Sequence, residues 1–498
     1  MNRPLTLSFV LLALVFPGYL FAAEVIEIGA SNHEELPGGK EADGIVGDFV
    51  LRNDLIEAVI SGNLPLRRPN MSAFYGDGNH TPGCLYDLTL RDAENDQITI
   101  FTPCAQRGAV SYVRKIDERD LPTGLQAGVE TVITPAQGGG IGRVHRYFIR
   151  DGMQGVLIVS TFVNKTGEEE EVSLADGWTQ MRNKGSVKGI QWADAIDPAH
   201  KCGYAYAWVI RAGAEYPKSN KVKLAPEQTL TVARFLSVGT SPAEAVGLVT
   251  AFRDAPAPEK RPEKFGSVRI ALKDDEGNAV NTGRVGVTLA DAKTVYAYPD
   301  ENGEMKFHWP VGDHALSIED IGRETIDRTI TVSADKTESL DITMSKLSRV
   351  VFAITAEDGS DLPCKVQFHP RKGTAKVDLG PTDRAHGCVD QWHSETGSFA
   401  VALPVGDYRI VVTRGPEFDA LTQDIELPPG GEVMVKGQLL RSINSAGWVS
   451  TDFHNHSTPS GDNTCGVDDR LINLAAEQIE FAPTTEHNRL YDWEPHIE

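Results

Sequence analysis

A repeated turn constrains the fold of this chain more than any other feature of its sequence. The tetrapeptide Pro-Val-Gly-Asp occurs at 310–313 and again at 404–407, each time seven residues after a glycine. Apolar and polar residues alternate on both sides of each turn, which is typical of half-buried β-strands. The sequence therefore predicts two tandem β-modules, at residues 265–345 and 347–441.

The two modules resemble the transthyretin-like carboxypeptidase-regulatory, or Cna-B-type, modules of exported bacterial proteins, which are Ig-like β-sandwiches. In that family the modules act in spacing and adhesion. The second module is longer by about twelve residues, and the insertion includes His386, Cys388 and His393. These three residues have loose metal-ligand spacing, but no fourth ligand lies nearby in the sequence. We therefore predict a loop there rather than a metal site.

Residues 24–253 predict an antiparallel β-sandwich, because short apolar runs alternate with turn residues. One helix is predicted to begin at Pro242, with Ser241 as its cap. A stiff, proline-rich linker follows at 254–264. Six aromatic residues in the sandwich fit either a sugar-binding cleft or, more commonly, an ordinary core. They are Tyr75, Trp178, Trp192, Tyr204, Tyr206 and Trp208.

Residues 1–23 have the pattern of a signal peptide, with a basic residue, a short apolar run and small residues at the end. A retained membrane anchor is the alternative. Elsewhere no apolar stretch is long enough to cross a bilayer. We therefore expect an exported protein, at the cell surface, in the periplasm or secreted. The net charge is −22, without clustered Lys or Arg, which argues against nucleic acid as a partner.

Six cysteines in an exported chain permit disulfides. Cys84 with Cys104, and Cys364 with Cys388, are close enough in sequence to pair within a domain, although fifteen connectivities exist. Cys465 lies near the candidate metal loop, which is the turn that follows His456 and carries Asp462. A structural or free thiol is favoured there over a soft metal ligand.

Candidate chemistry is concentrated near the end of the chain. His454 and His456 lie two residues apart, so a β-strand projects both imidazoles to one side. Asp462 follows a turn and adds a carboxylate. Residues 467–479 have helical periodicity, and the short apolar stretch after them ends at His487. The order of strand, loop, helix and strand predicts a βαβ unit with its ligands at the carboxyl ends of the strands.

The motifs Asp-Phe-His-Asn-His-Ser at 452–457 and Thr-Glu-His-Asn at 485–488 resemble the first two motifs of the PHP (polymerase and histidinol phosphatase) superfamily. The export signal and preceding β-domains are similar to its carbaryl-hydrolase-like (CehA/McbA) branch. The resemblance implies that 447–498 begin an α/β PHP-type barrel, and that a divalent metal (Zn, Mn or Fe) is bound there. The implied metal ligands are His454, His456, Asp462 and His487.

The resemblance also implies that Asp452 and Glu486 support these ligands from behind, with Glu486 in the place of a more usual Asp. A full barrel of this kind needs roughly 200 residues. We therefore expect a C-terminally truncated barrel in this chain, without the later ligands of the family.

The sequence thus predicts a mainly β, multidomain protein: a β-sandwich, two tandem transthyretin/Ig-like modules and the start of an α/β barrel. The first functional hypothesis is a metal-dependent hydrolase in which an activated water attacks a small phosphoester, carbamate or related ester. The second is a non-catalytic surface or carbohydrate-binding protein, for which a cell-wall or surface glycan is the partner. The third is an inactive fragment whose site is never completed.

Overall fold

The computed structural model describes residues 22–69, 80–178, 184–195, 197, 200–209, 219–254, 265–289, 293–460, 463–487 and 490–497. Within these residues the protein is almost entirely β, with thirty strands in seven sheets and two α-helices. The expectation of a mainly β, multidomain protein is therefore confirmed. The predicted signal peptide lies outside the described residues, apart from its last two positions.

Sixteen strands form the N-terminal sheets. They are β1 (Glu24–Glu27), β2 (Phe49–Arg52), β3 (Ile56–Ile60), β4 (Leu85–Leu90), β5 (Phe101–Thr102), β6 (Tyr112–Lys115), β7 (Ala127–Ile133), β8 (Ile141–Ile149), β9 (Gly155–Asn164), β10 (Glu170–Ser173), β11 (Gly177–Trp178), β12 (Lys184–Val187), β13 (Ile190–Asp194), β14 (Gly203–Trp208), β15 (Lys221–Leu224) and β16 (Thr229–Gly239).

A six-stranded sheet, β1-β2-β3-β4-β5-β11, and an eight-stranded sheet, β12-β13-β14-β16-β9-β8-β7-β6, make up most of this region. All their strand pairs are antiparallel, as in a hairpin-built sandwich. Leu51 and Phe101 of the first sheet share one buried cluster with Tyr147 and Leu236 of the second. The two sheets therefore pack face to face over an apolar core.

Fourteen more strands form four sheets. They are β17 (Phe265–Lys273), β18 (Arg284–Thr288), β19 (Thr294–Ala297), β20 (Glu304–Pro310), β21 (Gly312–Glu319), β22 (Ile326–Val332), β23 (Thr337–Thr343), β24 (Arg349–Thr355), β25 (Cys364–Arg371), β26 (Gln391–Ser394), β27 (Ser398–Ala402), β28 (Gly406–Thr413), β29 (Leu421–Leu427) and β30 (Glu432–Gln438).

These strands repeat one topology twice. Sheets β20-β17-β23 and β19-β18-β21-β22 in the first module correspond to β27-β24-β30 and β26-β25-β28-β29 in the second. Even the parallel pairs, β17 with β23 and β24 with β30, occupy equivalent positions. The two segments with the repeated turn therefore fold into two copies of one module.

The glycine of each repeat is required by a close backbone approach. Gly303 has φ +76°, and a Cβ there would lie 2.5 Å from the carbonyl oxygen of Leu272. Gly397 has φ +72°, and its Cβ would lie 2.3 Å from the carbonyl oxygen of Ile354. Only glycine adopts this conformation without a steric cost at such a contact. This requirement explains why glycine stands at the equivalent position of both modules.

Helix α1 (Pro242–Asp254) joins the sandwich to the first module. The hydroxyl of Ser241 accepts from the backbone N of Glu244 at 3.2 Å, as predicted for a helix cap. The helix packs against strands β14 and β16 on one side and β20 on the other. One apolar cluster runs from the sandwich through Val246 to Trp309, whereas the second module has a core of its own.

Helix α2 (Val467–Ala476) is the second α-helix of the described residues. It begins where predicted but ends three residues before Ile479. The strands expected on either side of it are not formed, which corrects the predicted βαβ unit. A single parallel bridge, Thr451 with Phe481, joins the two flanking segments instead. The start of an α/β barrel is therefore not shown, since a barrel requires paired parallel strands.

Short 3₁₀ turns occur at His33–Glu35, Pro103–Ala105, Glu118–Asp120 and Glu494–His496. Neither α-helix in the described part of the chain is long and apolar enough to cross a membrane.

Candidate functional site

The imidazoles of His454, His456 and His487 lie side by side. The ring centres of His454 and His456 are 4.9 Å apart, and those of His456 and His487 are 4.7 Å apart. His454 and His487 are exposed and His456 is half-buried, so the group opens to solvent. Two distant segments of the sequence therefore bring three potential nitrogen ligands to one place.

A polar network joins these two segments. The backbone N of Asn455 donates to the hydroxyl of Thr485 at 2.9 Å, and that hydroxyl donates to the carbonyl of Asn455 at 2.5 Å. The side-chain amide of Asn455 donates to the carbonyl of Pro483 at 3.0 Å. Because Asn455 is almost fully buried, these bonds fix the relative position of the two segments.

Ser460 is a residue of the site that the sequence analysis missed. Its hydroxyl lies 2.8 Å from Nδ1 of His456 and accepts from the backbone N of His487 at 2.8 Å. When Nδ1 of His456 carries the proton, it donates to Ser460, and the ring lone pair is then on Nε2, as metal ligation requires. Its place four residues after His456 was the available signal.

Asp452 and Glu486 both lie at the site, but each supports backbone rather than an imidazole. Asp452 accepts from the backbone N of His454 at 3.0 Å. Glu486 accepts from the backbone N of Ser457 at 3.0 Å and from the hydroxyl of the same residue. Each carboxylate therefore braces the chain directly beside a candidate ligand. Their predicted role behind the ligands remains a prediction, since these bonds do not reach the imidazole rings.

The donor set suits a divalent metal of borderline softness, because imidazole nitrogens are good ligands for Zn and Fe. The fourth expected ligand, Asp462, lies outside the described residues. Within the part of the chain that is described, no three His, Cys, Asp or Glu side chains form a group arranged to hold a metal ion. The types of side chain at the site therefore fit the expected metal, whereas the described residues do not form a complete metal-binding site.

Large apolar side chains are exposed in the two segments that carry the histidines. Trp448 is 81% exposed, Phe453 67% and Phe481 52%, and the last two rings lie 5.9 Å apart. Contiguous exposed apolar side chains are typical of surfaces that bind a partner, a membrane or a ligand.

The two possible disulfides are not formed, since none of the six cysteines is joined to another. The thiol of Cys104 instead lies 2.6 Å from a guanidinium nitrogen of Arg234, and Cys364 is buried within β25. Cys465 is also buried, and burial raises the pKa of its thiol to about 11, so it is a protonated thiol at neutral pH.

Most of the described aromatic residues of the sandwich lie in its core, which is the more common of the two interpretations of the sequence. Trp192, Tyr204 and Tyr206 are buried, whereas Trp178 and Trp208 are half-buried. The guanidinium of Arg234 lies over the ring of Trp208, with its Cζ 4.5 Å from the ring centre. Tyr75 lies outside the described residues.

The insertion of the second module is a loop between β25 and β26 that includes His386 and Cys388, as predicted, whereas His393 lies on β26 rather than in the loop. His386 pairs with Glu395 at 3.1 Å, and His393, on β26, contacts the carbonyl of Ala385. These two histidines therefore have hydrogen-bonding roles.

No family model matches the chain, and no curated protein matches it. Among solved structures, it is similar to the Bacillus anthracis TIE protein, with 11% identity and a TM-score of 0.18 over 66% of this chain and 58% of that one. It is also similar to a streptococcal ancillary pilin, with 15% identity and a TM-score of 0.21 over 47% of this chain and 75% of that one.

A minor pilin of Streptococcus agalactiae matches at 10% identity and a TM-score of 0.19, over 36% of this chain and 97% of that one. At TM-scores this low, none of these similarities carries an argument about the fold or the function. The function must therefore be argued from the chain's own residues.

Proposed function

We propose that the protein is an exported, metal-dependent hydrolase of the PHP type, whose site is carried behind an array of β-modules. The observation that supports this proposal is the adjacency of three imidazoles from two segments, with ring centres 4.9 and 4.7 Å apart. A set of metal ligands requires imidazoles from separate segments to come together in this way. The proposed ligands are His454, His456, His487 and Asp462.

The chain's own residues contribute binding and orientation. His454, His456, His487 and Asp462 would hold a Zn, Mn or Fe ion, which would supply Lewis-acid chemistry: polarisation of the ester and a lower pKa of the attacking water. Ser460 orients the ring of His456 and holds the backbone of His487. Glu486 holds Ser457 in place behind them. The exposed faces of His454 and His487 leave room for a small phosphoester, carbamate or related ester.

Metal content of the purified full chain, measured by elemental analysis, tests this proposal. The wild-type chain should retain Zn, Mn or Fe at close to one equivalent, and the double variant His454→Ala/His487→Ala should retain almost none. His369→Ala is the matched control, since His369 is exposed on β25 of the second module. If wild type and double variant carry equally little metal, the hydrolase proposal fails. A positive result justifies screening phosphoesters and aryl carbamates.

A second candidate function is glycan binding at the surface of the sandwich, without catalysis. An open cleft of about 420 Å³ lies on the eight-stranded sheet, lined by Arg114, Glu130, Arg146, Asp117 and Thr231 among others. Glu130 accepts from Arg114 at 2.6 Å and from Arg146 at 3.1 Å, so planar polar groups are held in fixed positions. Such groups suit the hydroxyls of a sugar.

A glycan array probed with the full chain tests this second function. Binding should be lost in Arg146→Ala and kept in the His454→Ala/His487→Ala variant. Binding that depends on the histidines, or no binding at all, would remove the sandwich cleft as a functional site.

A further inference from the structure

The insertion loop of the second module, residues 372–390 between β25 and β26, distinguishes the two copies of the repeat. The equivalent connection of the first module, between β18 and β19, spans only 289–293. A module that serves only as a spacer has no need of the longer loop. Its contacts therefore indicate what the addition does.

On one side the insertion loop contacts the sandwich through a buried ion network. Nζ of Lys40 lies 3.5 Å from a carboxylate oxygen of Asp197 and 3.7 Å from one of Asp383. Arg384 donates to the other oxygen of Asp197 at 3.3 Å. The side chains of Lys40 and Asp197 are only 3% and 2% exposed. Buried charges hold one geometry only when all their partners are present, so this network fixes the loop against the sandwich.

Asp197 is itself anchored to the sandwich. Its backbone N donates to the side chain of Gln97 at 2.7 Å, and the amide of Gln97 donates to the carbonyl of Asp197 at 3.2 Å. Gln97 is fully buried. The ion network therefore begins at a rigid part of the core.

On its other side the insertion loop contacts the segment that leads from the candidate metal loop into helix α2. The hydroxyl of Thr464 donates to the carboxylate of Asp383. The backbone N of Ala385 donates to Asp469 at 2.7 Å. Asp469 lies in the first turn of α2, where a carboxylate usually caps its own helix. The insertion loop uses it as an anchor point instead.

The far end of α2 is held by the same module. Arg414 of the second module donates to the carbonyl of Ala475 at 3.3 Å, and Lys365 pairs with Glu477. From the first turn of the helix, Arg470 donates to the carbonyl of His456 at 2.9 Å. A continuous set of polar contacts therefore runs from the sandwich, through the insertion loop and α2, to one of the three histidines.

We propose that the insertion loop positions the histidine site, and that Asp383 is its positioning residue. Asp383 contacts Lys40 of the sandwich and Thr464, which lies two residues after Asp462. The insertion loop thereby sets where residues 463–469 lie relative to the histidines. The inference rests on the proposed metal site, and it assigns the second module a role in that site beyond spacing.

Residues that orient metal ligands typically change metal affinity about 10- to 100-fold when they are replaced. We expect Asp383→Ala to weaken Zn²⁺ binding about tenfold. Thr464→Val should have a similar effect, because it removes the donated hydrogen bond and leaves the Lys40 pair in place. The matched control is Asp361→Ala, an exposed aspartate of the same module.

The experiment titrates the full chain with Zn²⁺ by calorimetry and measures hydrogen–deuterium exchange of residues 463–469 in the metal-free protein. In both variants we expect weaker Zn²⁺ binding and faster exchange of residues 463–469. Exchange of the sandwich strands should not change. Thr464→Val keeps the test informative if Asp383→Ala does not fold. The Asp361→Ala chain should match wild type in both measurements.

Two outcomes separate this inference from the proposed function. If wild type binds Zn²⁺ and both variants bind it equally well, the inference is overturned and the proposed function stands. If wild type binds no Zn²⁺, the proposed function fails, and the exchange rates decide whether the insertion loop holds the segment. Unchanged exchange in both variants overturns the inference in either case.

Discussion

Replacing Asp194 with asparagine should stabilise the protein at neutral pH, because Asp194 is a buried acid at the joint between the sandwich and the first module. Both of its carboxylate oxygens lie 2.8 Å from the hydroxyl of Tyr298. Burial raises the pKa of Asp194 to about 6 from an ordinary 3.8, although the hydrogen bonds from Tyr298 and Ala195 oppose the shift. Ionisation at neutral pH therefore favours the unfolded chain.

The magnitude follows from linkage. A difference of roughly two pKa units, at about 1.4 kcal/mol each, corresponds to about 3 kcal/mol. Because the pKa of Asp194 is higher in the folded state, its favourable contribution is present below about pH 4 and is lost as the pH rises through 6. An asparagine side chain at this position does not titrate, so Asp194→Asn should gain stability relative to wild type across this window.

The assay is thermal unfolding of both proteins at pH 4.5 and 7.5. About 2 of these 3 kcal/mol develop between pH 4.5 and 7.5, since the effect already begins near pH 4. The melting temperature of Asp194→Asn, relative to wild type, should therefore rise by roughly 4–8 °C between the two pH values, taking about 2–4 °C per kcal/mol for a domain of this size. Asp275→Asn, an exposed acid in a turn of the first module, is the control and should show no such rise. A relative melting temperature that does not depend on pH would refute the buried contact of Asp194 with Tyr298.

Three further changes test other parts of the structure. Burial lowers the pKa of His145 to about 3, so the unfolded state binds more protons than the folded state between about pH 6.5 and 3. The free energy of unfolding should therefore fall with decreasing pH in this range, by up to about 1.4 kcal/mol per pH unit. Acid unfolding of His145→Gln, followed by circular dichroism, should show a shallower fall, and an unchanged slope contradicts this. Gly247→Ala should lower the melting temperature despite the higher helix propensity of alanine, because its Cβ would lie 2.8 Å from the backbone N of His308; a rise contradicts the packing of α1 on β20. Arg234→Met should cost about 3–5 kcal/mol in chemical denaturation, since Asp176 is left buried without its ion pair, and adding Asp176→Asn should recover part of the loss.

The tandem modules could be predicted because their determinants are local. A glycine with positive φ, a fixed turn and alternating strands lie within a short stretch of sequence, and Gly303 and Gly397 meet the same backbone constraint. Helix α1 was predictable for the same reason, since Ser241 caps it and Pro242 begins it.

The role of the insertion loop could not be predicted, because its contacts join residues far apart in sequence. Lys40, Asp197, Asp383 and Thr464 meet at one place, and no local pattern links them. The state of the cysteines could not be predicted for a related reason. Nearness in sequence suggested that Cys84 pairs with Cys104, whereas the Cys104 side chain is directed at Arg234.

The sequence predicted the candidate ligands of the site better than it predicted the residues and strands that hold them in place. Spacing and motif indicated His454, His456 and His487, and the structure brings these three together. Ser460 was missed, because its place four residues after His456 gains a meaning only once its contacts to His456 and His487 are known. The flanking strands were expected from the apolar residues near Thr451 and Phe481, but only one bridge forms there.

X-ray absorption spectroscopy of the Zn-loaded full chain tests directly whether the histidines bind the metal. We expect imidazole scattering with nitrogen ligands at about 2.0–2.1 Å from the metal. This imidazole signal should fall by about one ligand in His487→Ala and stay unchanged in His369→Ala. A spectrum without imidazole scattering, or one that His487→Ala leaves unchanged, would contradict a metal site built from these histidines.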